Sequence, residues 1–255
     1  MLVNSVDIAI VTFFATLLAG IFGFSITLRL KESWLDGISR DQFKAVRNMI
    51  ASLLAVCLGF LLVTAKNNFD KKVDEVRTQA SKVVLLHRVL DLFGDEANEA
   101  RTKIMRTVQG QIDLLQVASG NNIDQKEALK KAKIDSFREA VLNLDAKDEK
   151  KSWAKTAALN LTQEISGIRW KIYNDLNANI PLEVVIFLIA LLVTVFFNFG
   201  VISHHHWTAA LGLVTASLCV SGAIFLLVEL DRPFQGFFTV PTDPLKSAVD
   251  IIKIG

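Results

Sequence analysis

Residues 207–236 read WTAALGLVTASLCVSGAIFLLVELDRPFQG, an uncharged apolar run that ends in a charged segment. The apolar part, from Trp207 to Val228, is long enough for a helix to cross the roughly 30 Å hydrocarbon core of a bilayer. Three charged residues follow it within a few positions, namely Glu229, Asp231 and Arg232. Pro233 comes next and prevents the helix from continuing. The stretch therefore predicts a membrane-spanning helix with a sharp stop.

Three more uncharged apolar runs of similar length occur earlier in the chain, at Ile8–Leu28, Met49–Ala65 and Val184–Ile202. The chain is 51% hydrophobic and yet 21% charged, so apolar blocks must alternate with a charged domain. The first run is longer than the apolar region of a cleaved signal peptide, and no basic residue precedes it, so we expect it to remain in the protein. We therefore predict a multi-pass membrane protein with four spans.

Residues 66–180 form the charged domain, which contains no proline and is expected to be helical. Its first helix should continue out of the second span without a break, because a heptad-like seam begins immediately after that span. The seam runs at alternating steps of four and three through Phe69, Val73, Val76, Ala80, Val83, His87 and Leu90. Such a seam is typical of packing against another helix or a second copy of the chain. We interpret His87 as a packed member of the seam, with a metal or switching role as the alternative.

Three further helices are predicted in this domain. Gly94 and the acidic residues after it indicate a stop followed by a new helix. That second helix reaches about Ala118 and carries an apolar stripe of Ile104, Val108, Ile112 and Leu115. A third helix over 124–144 is expected to pack through Leu129, Ala132, Phe137 and Val141. A fourth helix, from about Asp148 toward Pro181, is expected to pack through Trp153, Ala157, Leu161, Ile165, Ile168, Ile172 and Leu176.

The predicted fold is all-α: four transmembrane helices in two hairpins, with an antiparallel helical domain inserted between them and continuous with spans two and three. We place the first hairpin at residues 1–65, the helical domain at 66–180, the second hairpin at 181–230 and an irregular C-terminal tail at 231–255. An even number of spans puts both termini and the helical domain on one side of the membrane. Basic residues are nearly balanced between the two sides, so charge does not decide the orientation.

Composition and motifs exclude several classes of function. The net charge of +2 gives no strong field that would attract nucleic acid. No nucleophile elbow, phosphate loop, zinc spacing or enclosed pair of carboxylates is present, so we predict neither an enzyme nor a cofactor or metal site. Cys57 and Cys219 fall inside spans and are interpreted as small apolar residues. The run His204–His206 is interpreted as an interfacial turn, with metal binding or pH sensitivity as alternatives.

Polar residues within the spans are few and uncharged, so no acidic site for coupled ion transport is visible. Small residues of the second span lie about four positions apart, which allows either close helix packing or a narrow passage. The pore-lining candidates are Ser52, Ala55, Gly59 and Phe60. Helix packing remains the alternative for these residues.

The run from Glu229 to Gly236 resembles the C-terminal signature, ELDRPFxG, of a bestrophin-like family of bacterial membrane proteins. The signature positions are Glu229, Asp231, Arg232, Pro233, Phe234 and Gly236. The order of two spans, a helical insert and two further spans is also similar to that of bestrophin anion channels. This resemblance implies a pentameric ion channel of the bacterial inner membrane, with second spans around the pore and with the termini and helical domain in the cytosol. The aromatic neck and the acidic calcium clasp of true bestrophins are not matched here, so neither is carried over.

Our leading hypothesis is therefore a homo-oligomeric ion channel whose partners are the lipid membrane, further copies of the chain and a permeant ion. The alternative is a non-conducting membrane scaffold or sensor that acts through its helical domain. Glu229 and Arg232 are three residues apart at the end of the fourth span, so we also expect them to pair at the membrane interface.

Overall fold

The computed structural model of the chain describes residues 4–29, 37–118, 136–174, 180–202, 207–234 and 236–254. The regular elements in these ranges are all helices: α1 (Ser5–Arg29), α2 (Gly37–Leu90), a 3-10 segment (Asp91–Ala97), α3 (Asn98–Ala118), α4 (Ser136–Leu142), α5 (Glu149–Asn174), α6 (Leu182–Ile202), α7 (Trp207–Leu230) and α8 (Asp243–Ile254). The all-α prediction is therefore confirmed. The predicted spans correspond to α1, part of α2, α6 and α7.

The chain divides into two compact units, each built from segments that are distant in sequence. Unit 1 comprises Met1–Asn67 and Asn179–Asp231, and unit 2 comprises Asn68–Ala178 and Arg232–Gly255. Unit 1 therefore contains α1, the first part of α2, α6 and α7. Unit 2 contains the rest of α2, the helices α3 to α5, and α8.

The helices of unit 1 pack through one apolar cluster. Its buried members are Ile8, Leu54, Ala65, Val185, Leu188, Leu192, Ile224, Leu227 and Val228. α1 lies against both α6 and α7. α1 and α7 run antiparallel, because Ser5 at the start of α1 meets Glu229 near the end of α7, while Gly20 faces Leu213. Many large apolar side chains on the other faces of these helices stay exposed, as expected of helices surrounded by lipid.

α1 and α6 approach each other closely because glycines stand where they cross. A Cβ atom at Gly200 would lie 2.9 Å from both the carbonyl carbon of Gly20 and the backbone nitrogen of Phe24. At Gly23 a Cβ atom would lie 3.1 Å from the backbone nitrogen of Val201. Unstrained contacts between such atoms are about 3.5–4.0 Å, so neither position accepts a side chain without moving a backbone. Close backbone contact of this kind drives helix association in lipid, where the hydrophobic effect does not.

α2 is a single helix of 54 residues, which makes it about 80 Å long at 1.5 Å per residue. It confirms that the second span continues into the helical domain without a break. It begins at Gly37, so part of the segment between the first two predicted spans, Ile8–Leu28 and Met49–Ala65, is helical as well. After Leu90 the chain enters the 3-10 segment, in which Gly94 has φ 59°. Glycine adopts this positive φ without a steric penalty. The stop predicted at Gly94 is confirmed, because α2 ends at Leu90 and α3 begins at Asn98.

The predicted seam of α2 is confirmed in unit 2. All seam residues from Phe69 to Leu90, including His87, are buried or half-buried. The predicted stripe of α3 faces the same core and consists of the buried residues Ile104, Val108, Ile112 and Leu115. Gln79 of α2 and Gln111 of α3 lie fully buried and exchange two hydrogen bonds of 2.6 and 2.9 Å. This amide pair fixes the register of the two helices, since a shift would leave buried amides unpaired.

The third predicted helix of unit 2, at residues 124–144, lies mostly outside the described residues. From Ser136 onward the structure describes α4, in which Val141 is buried as predicted. The other predicted contacts fall outside the described residues, namely Leu129, Ala132 and the side chain of Phe137. The fourth predicted helix is confirmed as α5, which begins at Glu149.

The predicted packing face of α5 is partly wrong. Trp153 is 64% exposed. The buried residues of α5 are Ala154, Ala158, Thr162, Ile165, Arg169, Ile172 and Tyr173. Ile165 and Ile172 belong to the predicted face, whereas Leu176 lies outside the described residues. Leu161 and Ile168 of the predicted face are partly buried against the same core. The error therefore lies at Trp153, and burial of the charged Arg169 has no apolar signal in the sequence.

The prediction of an irregular C-terminal tail is wrong from Asp243 onward, where α8 forms. Pro244 sits in the first turn of α8, a position where a proline loses no helical hydrogen bond, so it did not signal irregular structure. α8 packs on α3 and buries residues at helical spacing, namely Leu245, Ala248, Val249 and Ile252. The tail is thus part of the core of unit 2.

Candidate functional site

α2 has two different faces in unit 1. One face packs against the apolar cluster through Ile50, Leu54, Leu58, Leu61, Leu62 and Ala65. On the other side the helix is uncovered, and the four predicted pore-lining residues all lie there: Ser52, Ala55, Gly59 and Phe60. Phe60 is 73% exposed. We call this side, from Met49 to Val63, the exposed α2 face.

Three large residues of the exposed α2 face were not among the predicted pore-lining residues. These are Met49, Val56 and Val63, each more than half exposed. They recur every seven residues, and this heptad period was available in the sequence as a signal. Apolar side chains of this size indicate a surface that contacts lipid or another helix and not bulk water.

Gly59 does not mediate close packing within the chain. A Cβ atom there would meet no other described atom within 4 Å. Gly20 and Gly200, in contrast, stand at a tight helix crossing. Close packing inside one protomer, the alternative for the small residues of the second span, therefore uses α1 and α6 and not Gly59.

Charged side chains continue the same spacing along α2. After Val63 the exposed positions at steps of three or four are Lys66, Asp70, Asp74 and Arg77. The helix therefore changes from apolar to charged along one side, with alternating blocks of positive and negative charge. The change at Lys66 marks the place where a hydrocarbon environment would end.

The first half of the C-terminal signature joins three helix ends in unit 1. Glu229 is only 1% exposed, and its carboxylate accepts a hydrogen bond from the hydroxyl of Ser5 in the first turn of α1. Asp231 accepts a hydrogen bond of 2.5 Å from the backbone N–H of Ile180, just before α6. The two carboxylates thus connect the end of α7 to the beginnings of α1 and α6. The pairing of Glu229 with Arg232 stays a prediction.

The second half of the signature shapes the entry into unit 2. The backbone carbonyl of Pro233 accepts a 2.8 Å hydrogen bond from the N–H of Val240, which closes the intervening segment into a loop. Phe234 is buried in the apolar core of unit 2. Gly236 has φ 101°, a conformation that residues other than glycine rarely adopt. Burial explains an apolar residue at Phe234 and the positive φ explains a glycine at Gly236, whereas the contact at Pro233 uses only its backbone.

The remaining candidates from the sequence are not assembled into a site among the described residues. Cys57 and Cys219 are free and exposed, on α2 and α7 respectively. His87 is buried, with its Nε2 atom 3.9 Å from Oδ1 of Asp91. No group of three or more potential metal ligands occurs in the part of the chain that the structure describes. The run His204–His206 lies outside that part.

Among the described residues, four helical stretches are long and apolar enough to cross a membrane. They are Ser5–Ile26, a part of Asp41–Gln116, Glu183–Ile202 and Trp207–Leu230. Residues 14–245 match the sequence model of the Bestrophin-like domain. The chain belongs to the bestrophin-like family. The matched region of this bestrophin-like protein begins within α1 and reaches the first turn of α8, so it takes in both units.

Solved structures of membrane proteins resemble this bestrophin-like chain along nearly its whole length. A variant of a bacterial bestrophin homologue from Klebsiella pneumoniae has a TM-score of 0.68 at 12% sequence identity, over 96% of this chain and 97% of that chain. A variant described as a membrane protein has a TM-score of 0.71 at 13% identity, over 95% of this chain and 96% of that chain. At these identities the likeness establishes the fold. The comparison with curated proteins gave no match.

Proposed function

We propose that this bestrophin-like protein is a homo-oligomeric ion channel of the bacterial inner membrane, in which the exposed α2 faces of several copies line the pore. The family membership and the bestrophin fold support a channel. A pentameric state, and the placement of the termini and unit 2 in the cytosol, form part of the proposal by resemblance to bestrophin channels.

The observation that carries the proposal is the exposure of α2. Only 11% of its most apolar stretch is buried in the single chain, compared with 28 to 33% for the other three spans. A span that packs so little within its own chain has the most surface available for neighbouring copies. The exposed α2 face also combines small residues with the aromatic ring of Phe60, which suits a passage with one constriction. An apolar constriction can stop ions by losing its water.

The charged continuation of α2 supports the same arrangement. A pore helix needs an apolar surface in the bilayer and a solvated one where the path opens into water. α2 offers both in this order, because Val63 is followed by Lys66, Asp70, Asp74 and Arg77. The signs are mixed along this surface, so charge favours neither anions nor cations strongly.

Ion flux into liposomes that contain the purified protein tests the proposal. We expect permeability above that of empty liposomes for at least one monovalent ion. Reconstituted oligomers that pass neither anions nor cations from a panel of monovalent ions would refute the channel.

Cysteine modification tests whether α2 lines the pore. In a chain with Cys57 and Cys219 replaced by serine, Phe60→Cys puts a thiol on the exposed α2 face. Leu218→Cys puts a control thiol on α7, at a residue that is 62% exposed in the chain. A charged thiol reagent is expected to reduce flux through the Phe60→Cys protein and to leave flux through the Leu218→Cys protein unchanged. Unchanged flux in both proteins would contradict pore lining by α2.

A non-conducting scaffold or sensor is the second candidate function. Trp153 and Trp170 of α5 are 64% and 53% exposed, and exposed tryptophans are enriched where proteins bind one another. If the protein is a channel, replacing both tryptophans with alanine is expected to leave flux intact. Intact oligomers without any flux, in the same liposome assay, would favour the scaffold.

A further inference from the structure

The segment that leads into α6 is anchored by a side chain from the end of α7. α6 begins at Leu182, and Ile180 lies two residues before it. The N–H of Ile180 donates a 2.5 Å hydrogen bond to the carboxylate of Asp231, the last residue of unit 1. An N-cap side chain accepts from N–H groups inside the first turn of a helix, so this contact is not an N-cap. It fixes the chain just before the first turn of α6 through a residue 51 positions away.

The start of α1 receives a comparable contact. Its own sequence provides a local cap, because the N–H of Asn4 donates to the carboxylate of Asp7 at 3.3 Å. Glu229 adds an acceptor from another helix, to which the hydroxyl of Ser5 donates. Ser5 and Glu229 are both buried. Removing either group leaves the other buried without this partner, and water cannot replace it at no cost.

Helix dipoles explain why acidic residues stand at this place. The C-terminal end of a helix carries a partial negative charge, so Glu229 and Asp231 are unfavourable for α7 itself. The N-terminal ends of α1 and α6 carry a partial positive charge, and both ends meet these carboxylates. Favourable interactions of Glu229 and Asp231 with the N-terminal ends of α1 and α6 therefore explain why acidic residues stand at the end of α7.

We propose that Glu229 and Asp231 are positioning residues that form a helix-end clamp, in which Glu229 holds the start of α1 and Asp231 holds the start of α6 against the end of α7. The clamp assigns a separate task to each carboxylate of the signature. It does not depend on whether the protein conducts ions, because it rests on contacts within one chain.

Hydrogen–deuterium exchange of the purified full-length protein in detergent tests this division of tasks. Asp231→Ala is expected to speed exchange about tenfold in peptides that cover the start of α6, with little change at the start of α1. Glu229→Ala is expected to do the reverse. A purely general loss of stability would instead speed exchange in both regions together.

Conservative variants and a matched control sharpen the test. Asp231→Asn keeps an acceptor for the N–H of Ile180 and is expected to restore most of the protection. Glu183→Ala removes an exposed carboxylate from the first turn of the same helix and is expected to change exchange much less than Asp231→Ala does. If Glu229→Ala does not fold, Ser5→Ala tests the same contact from the other side. Equal acceleration of both helix starts by either alanine variant, or no acceleration by either, would overturn the clamp.

Discussion

Replacing Gly200 with alanine is expected to destabilise the protein, although the change adds a single methyl group. The new Cβ atom would lie 2.9 Å from the carbonyl carbon of Gly20 and from the backbone nitrogen of Phe24, and closer still to the carbonyl oxygen of Gly20. All of these neighbours are backbone atoms, so a change of side-chain rotamer cannot relieve the overlap. The helices α1 and α6 must move apart instead.

The size of the effect follows from that separation. Unstrained contacts are about 3.5–4.0 Å, so the backbones must part by about 1 Å, which forfeits about a quarter to a half of the dispersion energy of each facing atom pair. Overpacking costs about 1–3 kcal/mol in general. We expect about 3 kcal/mol, the upper end of this range, for Gly200→Ala, because the overlapping atoms are all backbone atoms. The better helix propensity of alanine returns about 1 kcal/mol. The net loss of about 2 kcal/mol lowers the Tm by about 4–8 °C for a chain of this size.

Thermal unfolding in detergent, followed by circular dichroism, measures this effect. Gly222→Ala is the matched control, because it lies in another span, α7, and a Cβ atom there would meet no other described atom within 4 Å. The control is expected to keep or slightly raise the Tm. A Gly200→Ala protein that unfolds within about 1 °C of the unmodified protein would refute the close crossing of α1 and α6.

The remaining predictions concern buried polar groups of unit 2. Arg169→Met should stabilise the protein by about 1–2 kcal/mol, because within the described residues Nε and Nη1 of the buried arginine have no hydrogen-bond partner. Lys171→Met, at an exposed position, is the control. An unchanged or lower Tm for Arg169→Met would contradict the predicted gain in stability. Gln79→Leu or Gln111→Leu alone should lower the free energy of unfolding by about 1–3 kcal/mol, whereas the double variant should be close to neutral. Additive effects of the two substitutions in a double-mutant cycle would disprove the reciprocal hydrogen-bonded pair.

Helical periodicity carried most of the fold prediction. The seam from Phe69 to Leu90 and the stripe of α3 are sets of apolar residues on one side of a helix, and burial of such sets follows directly from spacing. On α5 periodicity predicted the burial of Ile165 and Ile172 correctly and was wrong at Trp153, which is exposed. Alanines such as Ala154 and Ala158 look neutral in a sequence, and only the position of neighbouring helices reveals that they are buried.

The candidate pore face was predictable in part. Small residues pointed to the side of α2 that the chain leaves uncovered, since Ser52 and Gly59 are both exposed. Met49 and Val56 were not among the predicted residues, although large apolar residues in a span need not be buried in the protein core. Lipid is as apolar as a protein core, so exposure of a large apolar side chain carries no penalty in a bilayer, and apolar size alone does not reveal which face of a span is buried.

The partners of the signature carboxylates escaped prediction because periodicity reports only on neighbours a few residues away. Ser5 and Glu229 are 224 residues apart, and Ile180 and Asp231 are 51 apart. Topology and electrostatics together nevertheless restrict the choice. With four spans, the end of α7 lies on the same side of the membrane as the starts of α1 and α6, and acidic side chains at a helix C-terminus oppose their own helix dipole. Two carboxylates in that position therefore call for two helix N-termini, and the topology offers α1 and α6.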